Sequence, residues 1–152
     1  MITPFGGIFD IPEATVKADE QLPYKIVIDV VTGNENPADF NWALNNVARL
    51  MNLNAVSVTN MSRMDVVLAI HGSATYSIAD NKTYKSKYEV DNPNLELINA
   101  LSEAGVRLTV CGQSLISRGI KVENVNNKVE IATSMLTTVT TLQLKGYAYL
   151  KF

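Results

Sequence analysis

Apolar residues occur along the chain in five short runs, and the stretches between them carry apolar residues at helical spacing or are polar. Most of the runs are rich in β-branched side chains and nearly continuous in apolar character, which is typical of strands covered on both faces of a parallel sheet. The predicted strands are Tyr24 to Val31, Val66 to Ile70, Val106 to Cys111, Val129 to Ala132 and Tyr147 to Phe152.

A helix is predicted after the first strand. Asn36-Pro37-Ala38-Asp39 offers a capping residue, a proline at the first helical position and an acid in the first turn. The residues that follow predict an apolar stripe facing the sheet, made of Phe40, Ala43, Leu44, Val47, Leu50 and Met51. We expect this helix to end in a loop around Val58 to Ser62.

Three more helices are predicted in the second half of the chain. Asn92-Pro93 repeats the capping signal, and the helix that follows is expected to end at Gly105. The segment from Leu115 to Gly119 has room for a short helix only. Apolar residues at i, i+4 and i+7 predict a last helix in the Thr-rich run that ends at Gly146, and these residues are Met135, Val139 and Leu142.

Strands and helices alternate along the chain, which predicts an α/β fold: a three-layer α/β/α sandwich with a five-stranded, mostly parallel sheet. Residues 1–23 contain two adjacent glycines and scattered prolines, and they predict an extended N-terminal arm. Residues 24–152 are expected to form a single domain. The polar stretch 73–90 is predicted to be a long connection between elements.

Composition excludes several classes of partner. The chain has 13 basic and 15 acidic side chains, a formal net charge of −2, and no cluster of Lys and Arg, so nucleic acid is not expected as a partner. No apolar run is long enough for a membrane span. A single cysteine cannot form an internal disulfide. We expect a soluble cytoplasmic protein, or a periplasmic one if a signal peptide has been removed before Met1.

Two chemically distinctive residues end predicted strands. They are His71 and Cys111, the one histidine and the one cysteine of the chain. Ligands of open parallel sheets collect at the carboxyl ends of the strands, so both side chains are expected at one rim. Cys111 precedes Gly112-Gln113-Ser114 and a short helix, and amides there would lower the pKa of the thiol. The alternative is that Cys111 is a small apolar core residue.

Other residues have both a functional and a structural interpretation. His71 is suited to tune the thiol or to bind an anion, but a histidine at a strand end also serves as a hydrogen-bonded structural residue. Arg118 would add positive charge to the rim, or be a solvated surface residue. Asp91 and Asn92 would shape the site, or cap the helix that follows.

Several chemistries lack the residues that they require. One histidine and one cysteine cannot build the usual zinc sites, and neither GxxxxGK[ST] nor GxGxxG occurs. GxSxG, the motif of a hydrolase nucleophile, is absent as well. We therefore expect no metal, no cofactor, and no chemistry driven by ATP or a dinucleotide.

Three segments together resemble the DsrE/DsrF-like family. They are His71-Gly72, Tyr88 to Leu95 with DNPNL, and Val110 to Ser114 with CGQS. The resemblance runs from about Tyr24 to Phe152 and implies a five-stranded parallel sheet between helices, in bacterial-type homotrimers or homohexamers. It also implies sulfur handling, because members with established roles pass sulfur as a cysteine persulfide in sulfur oxidation or tRNA thiolation. Cys111 falls on the cysteine of the CGQS-like motif.

The leading hypothesis is a sulfurtransferase-like persulfide carrier. Cys111 is the nucleophile, the amides of Gly112 and Gln113 stabilise its anion, Ser114 helps to shape the site, and His71 tunes it. Without a second cysteine, the sulfur donor and acceptor must be other proteins or small thiols. One alternative is a non-catalytic oligomeric module that binds a small anion or a partner's tail. Another is a redox sensor, which requires an exposed Cys111 of low pKa.

Overall fold

The computed structural model describes residues 1–57 and 61–152. It contains a parallel five-stranded sheet in the order β4-β3-β2-β1-β5. The strands are β1 Tyr24–Val30, β2 Met64–Ile70, β3 Arg107–Cys111, β4 Val129–Ala132 and β5 Ala148–Lys151. The α-helices are α1 Trp42–Ser57, α2 Asn81–Tyr88, α3 Leu95–Glu103, α4 Gly112–Arg118 and α5 Met135–Leu144. Short 3-10 helices are Met61–Arg63, Gly72–Ile78 and Val122–Asn124.

Alternation of side chains along the strands gives the sheet two buried faces. One face, with Ile28, Leu68 and Leu108, packs in the main core with residues of α1 and α3. The opposite face places Val27 and Val67 against α5. Helices on both faces make the three-layer α/β/α sandwich that the alternation of elements predicts. The fold class is confirmed, and all five predicted strands are present.

The first helix begins later than the sequence predicts. It starts at Trp42, and the side chain of Asn41 accepts a hydrogen bond from the Leu44 N–H at 3.1 Å. Asn36 instead closes a separate turn, in which its backbone carbonyl accepts from the Asp39 N–H. Phe40 therefore lies outside the helix and is 44% exposed. Most of the predicted loop around Val58 to Ser62 lies outside the described residues.

Residues 73–90, which the sequence predicts to be a long connection, contain regular structure of their own. They contain most of a 3-10 helix and all of α2, which is capped by Asp80 through a 2.8 Å bond from the Thr83 N–H. The helix α2 buries one side chain, Tyr84, so its sequence carries no apolar stripe that would reveal it. The sequence analysis missed this helix because its capping residue, rather than hydrophobic periodicity, defines it.

The other helices agree with the sequence more closely. The helix α3 ends just before Gly105, whose φ is +87°, and α5 occupies the predicted Thr-rich run. The helix α4 begins three residues before Leu115, directly after Cys111. None of the helices in the described part of the chain has the length and apolar character that a membrane crossing requires.

The N-terminal arm, residues 1–23, contains no helix or strand, and its start is fastened to α1. Asn52 accepts a hydrogen bond from the Ile2 N–H at 2.6 Å and donates to the Gly6 carbonyl at 2.9 Å. Gly6 has a φ of +63°, and a Cβ there would lie 2.3 Å from the backbone nitrogen of Arg49. Only glycine allows the arm to approach α1 this closely. The division at residue 23 stays a prediction.

Candidate functional site

Cys111 and His71 follow paired residues of adjacent strands. Ile70 of β2 pairs with Val110 of β3, so the next residues along the two strands are His71 and Cys111. His71 keeps an extended backbone, with φ −156° and ψ −166°, and therefore continues the side-chain alternation of β2. Both side chains are thus directed to the sheet face that α5 covers. Strand positions paired in this way lie about 5 Å apart.

The thiol of Cys111 lies among hydrogen-bond donors near the starts of two helices. The residue is 5% exposed, and Sγ lies 4.0 Å from the Ser134 hydroxyl oxygen in a partly buried contact. Burial raises the pKa of the thiol, but hydrogen bonds from the Met135 N–H, the Ser114 N–H and the Ser114 and Ser134 hydroxyls outweigh it. The pKa of Cys111 is therefore below its ordinary value. A thiolate is the nucleophilic form of cysteine.

The convergence of α4 and α5 explains where these donors come from. Cys111 is the residue before α4, and Ser134 is the N-cap of α5, accepting a bond from the Leu136 N–H at 3.2 Å. The first N–H groups of a helix have no partners within that helix, so they are free to stabilise a nearby anion. Ser134 and Met135 were not among the predicted site residues, although a serine directly after a strand and before a helix is a recognisable cap.

Gly112 is required by close packing between α4 and β4. A Cβ at this position would lie 2.8 Å from the carbonyl oxygen of Ala132, closer than real Cβ atoms come. Ala132 is the register partner of Cys111. The glycine therefore lets the start of α4 approach the end of β4 beside the sulfur. A role for the Gly112 and Gln113 amides at the sulfur stays a prediction.

His71 is held by a buried carboxylate. Its Nε2 lies 2.5 Å from Oδ1 of Asp29, which is 4% exposed. The other oxygen, Oδ2, accepts a hydrogen bond from the Tyr149 hydroxyl at 2.7 Å and lies 4.0 Å from Nζ of Lys151. Asp29 was missed in the sequence, where its signal is a charged residue inside the apolar run of β1.

The remaining predicted residues lie elsewhere. Arg118 is in the last turn of α4, about 10 Å along the helix axis from Cys111. It is near Tyr88, whose pKa is raised by burial and by Tyr76 and lowered by Arg118, with a net rise. Asp91 forms an exposed 3.3 Å ion pair with Lys85. Neither residue is among the groups that donate hydrogen bonds to the sulfur, so a role for Arg118 or Asp91 at the site stays a prediction.

Asn92 is a buried residue that supports the rim at the carboxyl ends of the strands. Its amide nitrogen donates to the carbonyls of Ser77 and Ala79 at 2.9 and 2.7 Å, and its Oδ1 accepts from the Asn94 N–H at 2.9 Å. Asn94 in turn accepts from the Asn41 N–H at 2.5 Å. These contacts tie together the loops before α1, α2 and α3, so Asn92 supports the rim rather than capping the helix alone.

A groove of about 320 Å³ runs between α5 and strands β3 and β4. Its lining includes Ala132 and Thr133, which adjoin the residues around the sulfur, and the hydroxyls of Thr109 and Thr138. Within residues 1–57 and 61–152, no three acidic, His or Cys side chains are grouped to hold a metal ion. The donors around Cys111 favour stabilisation of one anion at Sγ.

Ser134→Ala is expected to raise the pKa of Cys111 and to destabilise α5. The change removes one donor to the sulfur and the N-cap of the helix, which costs about 1 kcal/mol of unfolding free energy. Alkylation of Cys111 followed against pH, together with urea denaturation, measures both effects. Thr133→Ala, an exposed neighbour, is the matched control. An unchanged alkylation midpoint in Ser134→Ala would contradict the role of this hydroxyl.

Comparisons with known proteins agree on family and fold. The family model described as the DsrE/DsrF-like family matches residues 25–152. Similar solved structures include a protein of unknown function from Methanobacterium thermoautotrophicum, with 15% identity and a TM-score of 0.62, and the YchN protein of E. coli, with 21% identity and a TM-score of 0.61. Each match covers 85% of this chain and 99% of the other. No curated protein matches the chain.

Proposed function

Because the chain belongs to the DsrE/DsrF-like family, we propose that it acts in a sulfur relay and carries sulfane sulfur as a persulfide on Cys111. The observation that carries the proposal is the convergence of α4 and α5 on Sγ, where donors from Ser114, Ser134 and Met135 lower the pKa of the thiol. A persulfide carrier requires such a thiolate, because sulfane sulfur is accepted and released by nucleophilic attack at sulfur.

The proposed reaction has two exchange steps. The Cys111 thiolate attacks the outer sulfur of a donor persulfide, so that a new S–S bond forms, the donor S–S bond breaks, and the donor leaves as a thiolate. An acceptor thiolate then attacks the outer sulfur on Cys111, and the Cys111 thiolate leaves. A low pKa favours this second step, because a thiol of lower pKa is a better leaving group.

The single cysteine determines the kind of partner that this reaction needs. With no second thiol in the chain, the acceptor is a small thiol or a cysteine of another protein. We also propose a homotrimer or homohexamer in the cytoplasm. The support for assembly is the exposure of large apolar side chains on the two helices that begin beside Cys111, namely Ile116, Leu136 and Leu144.

A second candidate function is a non-catalytic module that binds a small anion at the same rim. The observation in its favour is the burial of Cys111, which at 5% exposure offers little surface to a donor. Amides at helix starts bind anions without any covalent step. The same burial weighs against the redox sensor, which requires an exposed cysteine.

The proposal predicts a reactive thiol in the native protein. The rate of alkylation by iodoacetamide is followed against pH, and the mass of the intact protein is measured after exposure to polysulfide. We expect a midpoint below about 8.5 and the addition of sulfur to Cys111. The same titration in denaturant gives the reference for this cysteine. Alkylation only after unfolding, with no sulfur uptake, would favour the anion-binding module.

A further inference from the structure

Hydrogen bonding to Asp29 determines which ring nitrogen of His71 carries the proton. An ionised carboxylate only accepts hydrogen bonds, so the 2.5 Å contact between Nε2 and Oδ1 requires a proton on Nε2. The Tyr149 hydroxyl donates to Oδ2 at 2.7 Å and keeps the carboxylate from rotating. In the neutral imidazole, Nδ1 is then the acceptor. A buried carboxylate that fixes a histidine tautomer is a recurring way to prepare a base.

The ring of His71 and the thiol of Cys111 occupy neighbouring strand positions on the same face of the sheet. His71 and Cys111 follow the paired residues Ile70 and Val110, and both side chains are directed to the face covered by α5. Nε2 is engaged by Asp29 of β1, the neighbour of β2 on the side away from β3. Nδ1 is therefore the ring nitrogen that Asp29 does not engage.

The charged and titratable groups around His71 come from three strands. They are Asp29 of β1, Cys111 of β3, and Tyr149 and Lys151 of β5. The helix α5, which covers this face, contains no ionisable side chain. The carboxylate of Asp29 is thus the acidic group in direct contact with the ring.

We propose that Asp29 is a positioning residue that holds His71 with Nδ1 directed at Cys111, so that His71 accepts the thiol proton when Cys111 ionises. This inference rests on the proposed function. It identifies His71 as the base that removes the proton of the Cys111 thiol before the first exchange step. The S–H bond of Cys111 breaks, the proton moves to Nδ1, and the electron pair stays on Sγ as the attacking thiolate. Tyr149 acts on the same carboxylate from the opposite side.

The test compares Asp29→Asn with Asp65→Asn in the full chain. Asp65 also accepts a tyrosine hydroxyl, that of Tyr147, but it lies near the start of β2, far from the sulfur. Asp29→Asn keeps the size of the side chain and removes its charge. We expect the alkylation midpoint of Cys111 to rise by about one pH unit in Asp29→Asn and not to change in Asp65→Asn.

A double variant separates positioning from a general structural effect. If Asp29 acts through His71, Asp29→Asn adds no further shift in a His71→Gln background, whereas a loosened fold shifts the midpoint in both backgrounds. An unchanged midpoint in Asp29→Asn, or an equal shift in both backgrounds, overturns the inference. Sulfur uptake by the wild type is measured separately. Its absence contradicts the persulfide carrier, while alkylation midpoints of the native protein still decide the role of Asp29. A thiol that alkylates only after unfolding overturns the inference as well.

Discussion

Cys111→Ser is expected to abolish sulfur uptake completely and to leave the fold intact. A serine hydroxyl cannot hold sulfane sulfur, and Cys111 is the one cysteine of the chain. Serine is close to cysteine in size and is favoured at the position before a helix, which Cys111 occupies at the start of α4. Its effect on the free energy of unfolding should therefore be small. Intact mass after polysulfide treatment and urea denaturation provide the two measurements.

The same variant discriminates between the two candidate functions. A persulfide carrier loses its function with the sulfur atom, whereas an anion-binding module retains binding because the donors around the site come from Ser114, Ser134 and Met135. Calorimetry with thiosulfate as the probe anion measures this binding in wild type and Cys111→Ser. Sulfur uptake that persists in Cys111→Ser would contradict a persulfide on Cys111. Unchanged thiosulfate binding without uptake in the wild type would favour the module.

Asn92→Ala is expected to destabilise the protein by about 3 kcal/mol. The substitution removes the bonds to the Ser77 and Ala79 carbonyls and to the Asn94 N–H, each worth about 1 kcal/mol, and leaves those buried groups without their partner. Asn92 is 6% exposed, so water cannot readily replace the lost contacts. Equilibrium denaturation in urea measures the change.

The adjacent residue supplies the matched control. Asp91 forms an exposed ion pair with Lys85, and such pairs contribute between zero and about 1 kcal/mol. Asp91→Ala should therefore change stability far less than Asn92→Ala, although the two residues are neighbours in the predicted site. An equal loss of stability in both variants would show that the side-chain hydrogen bonds of Asn92 do not account for the effect of Asn92→Ala.

The strands of this protein are easier to predict from its sequence than the helices, for a physical reason. Strands such as β1 and β2 are nearly continuous apolar runs, and burial on both faces makes that pattern necessary. The helix α2 buries only Tyr84, so periodicity gave no signal there. At α1, two asparagines compete to start the helix, and the sequence alone does not show that Asn36 closes a turn while Asn41 accepts the Leu44 N–H.

Sequence alone determined the α/β fold, the family resemblance and the placement of His71 and Cys111 at the ends of strands, because these depend on patterns within short segments. Only the tertiary structure decided which groups surround the sulfur. Ser134 and Met135 reach Cys111 from α5, and Asp29 reaches His71 from β1. These partners are separated from Cys111 or His71 by 23 or more positions, so packing of the sheet and helices, rather than local pattern, brings them together.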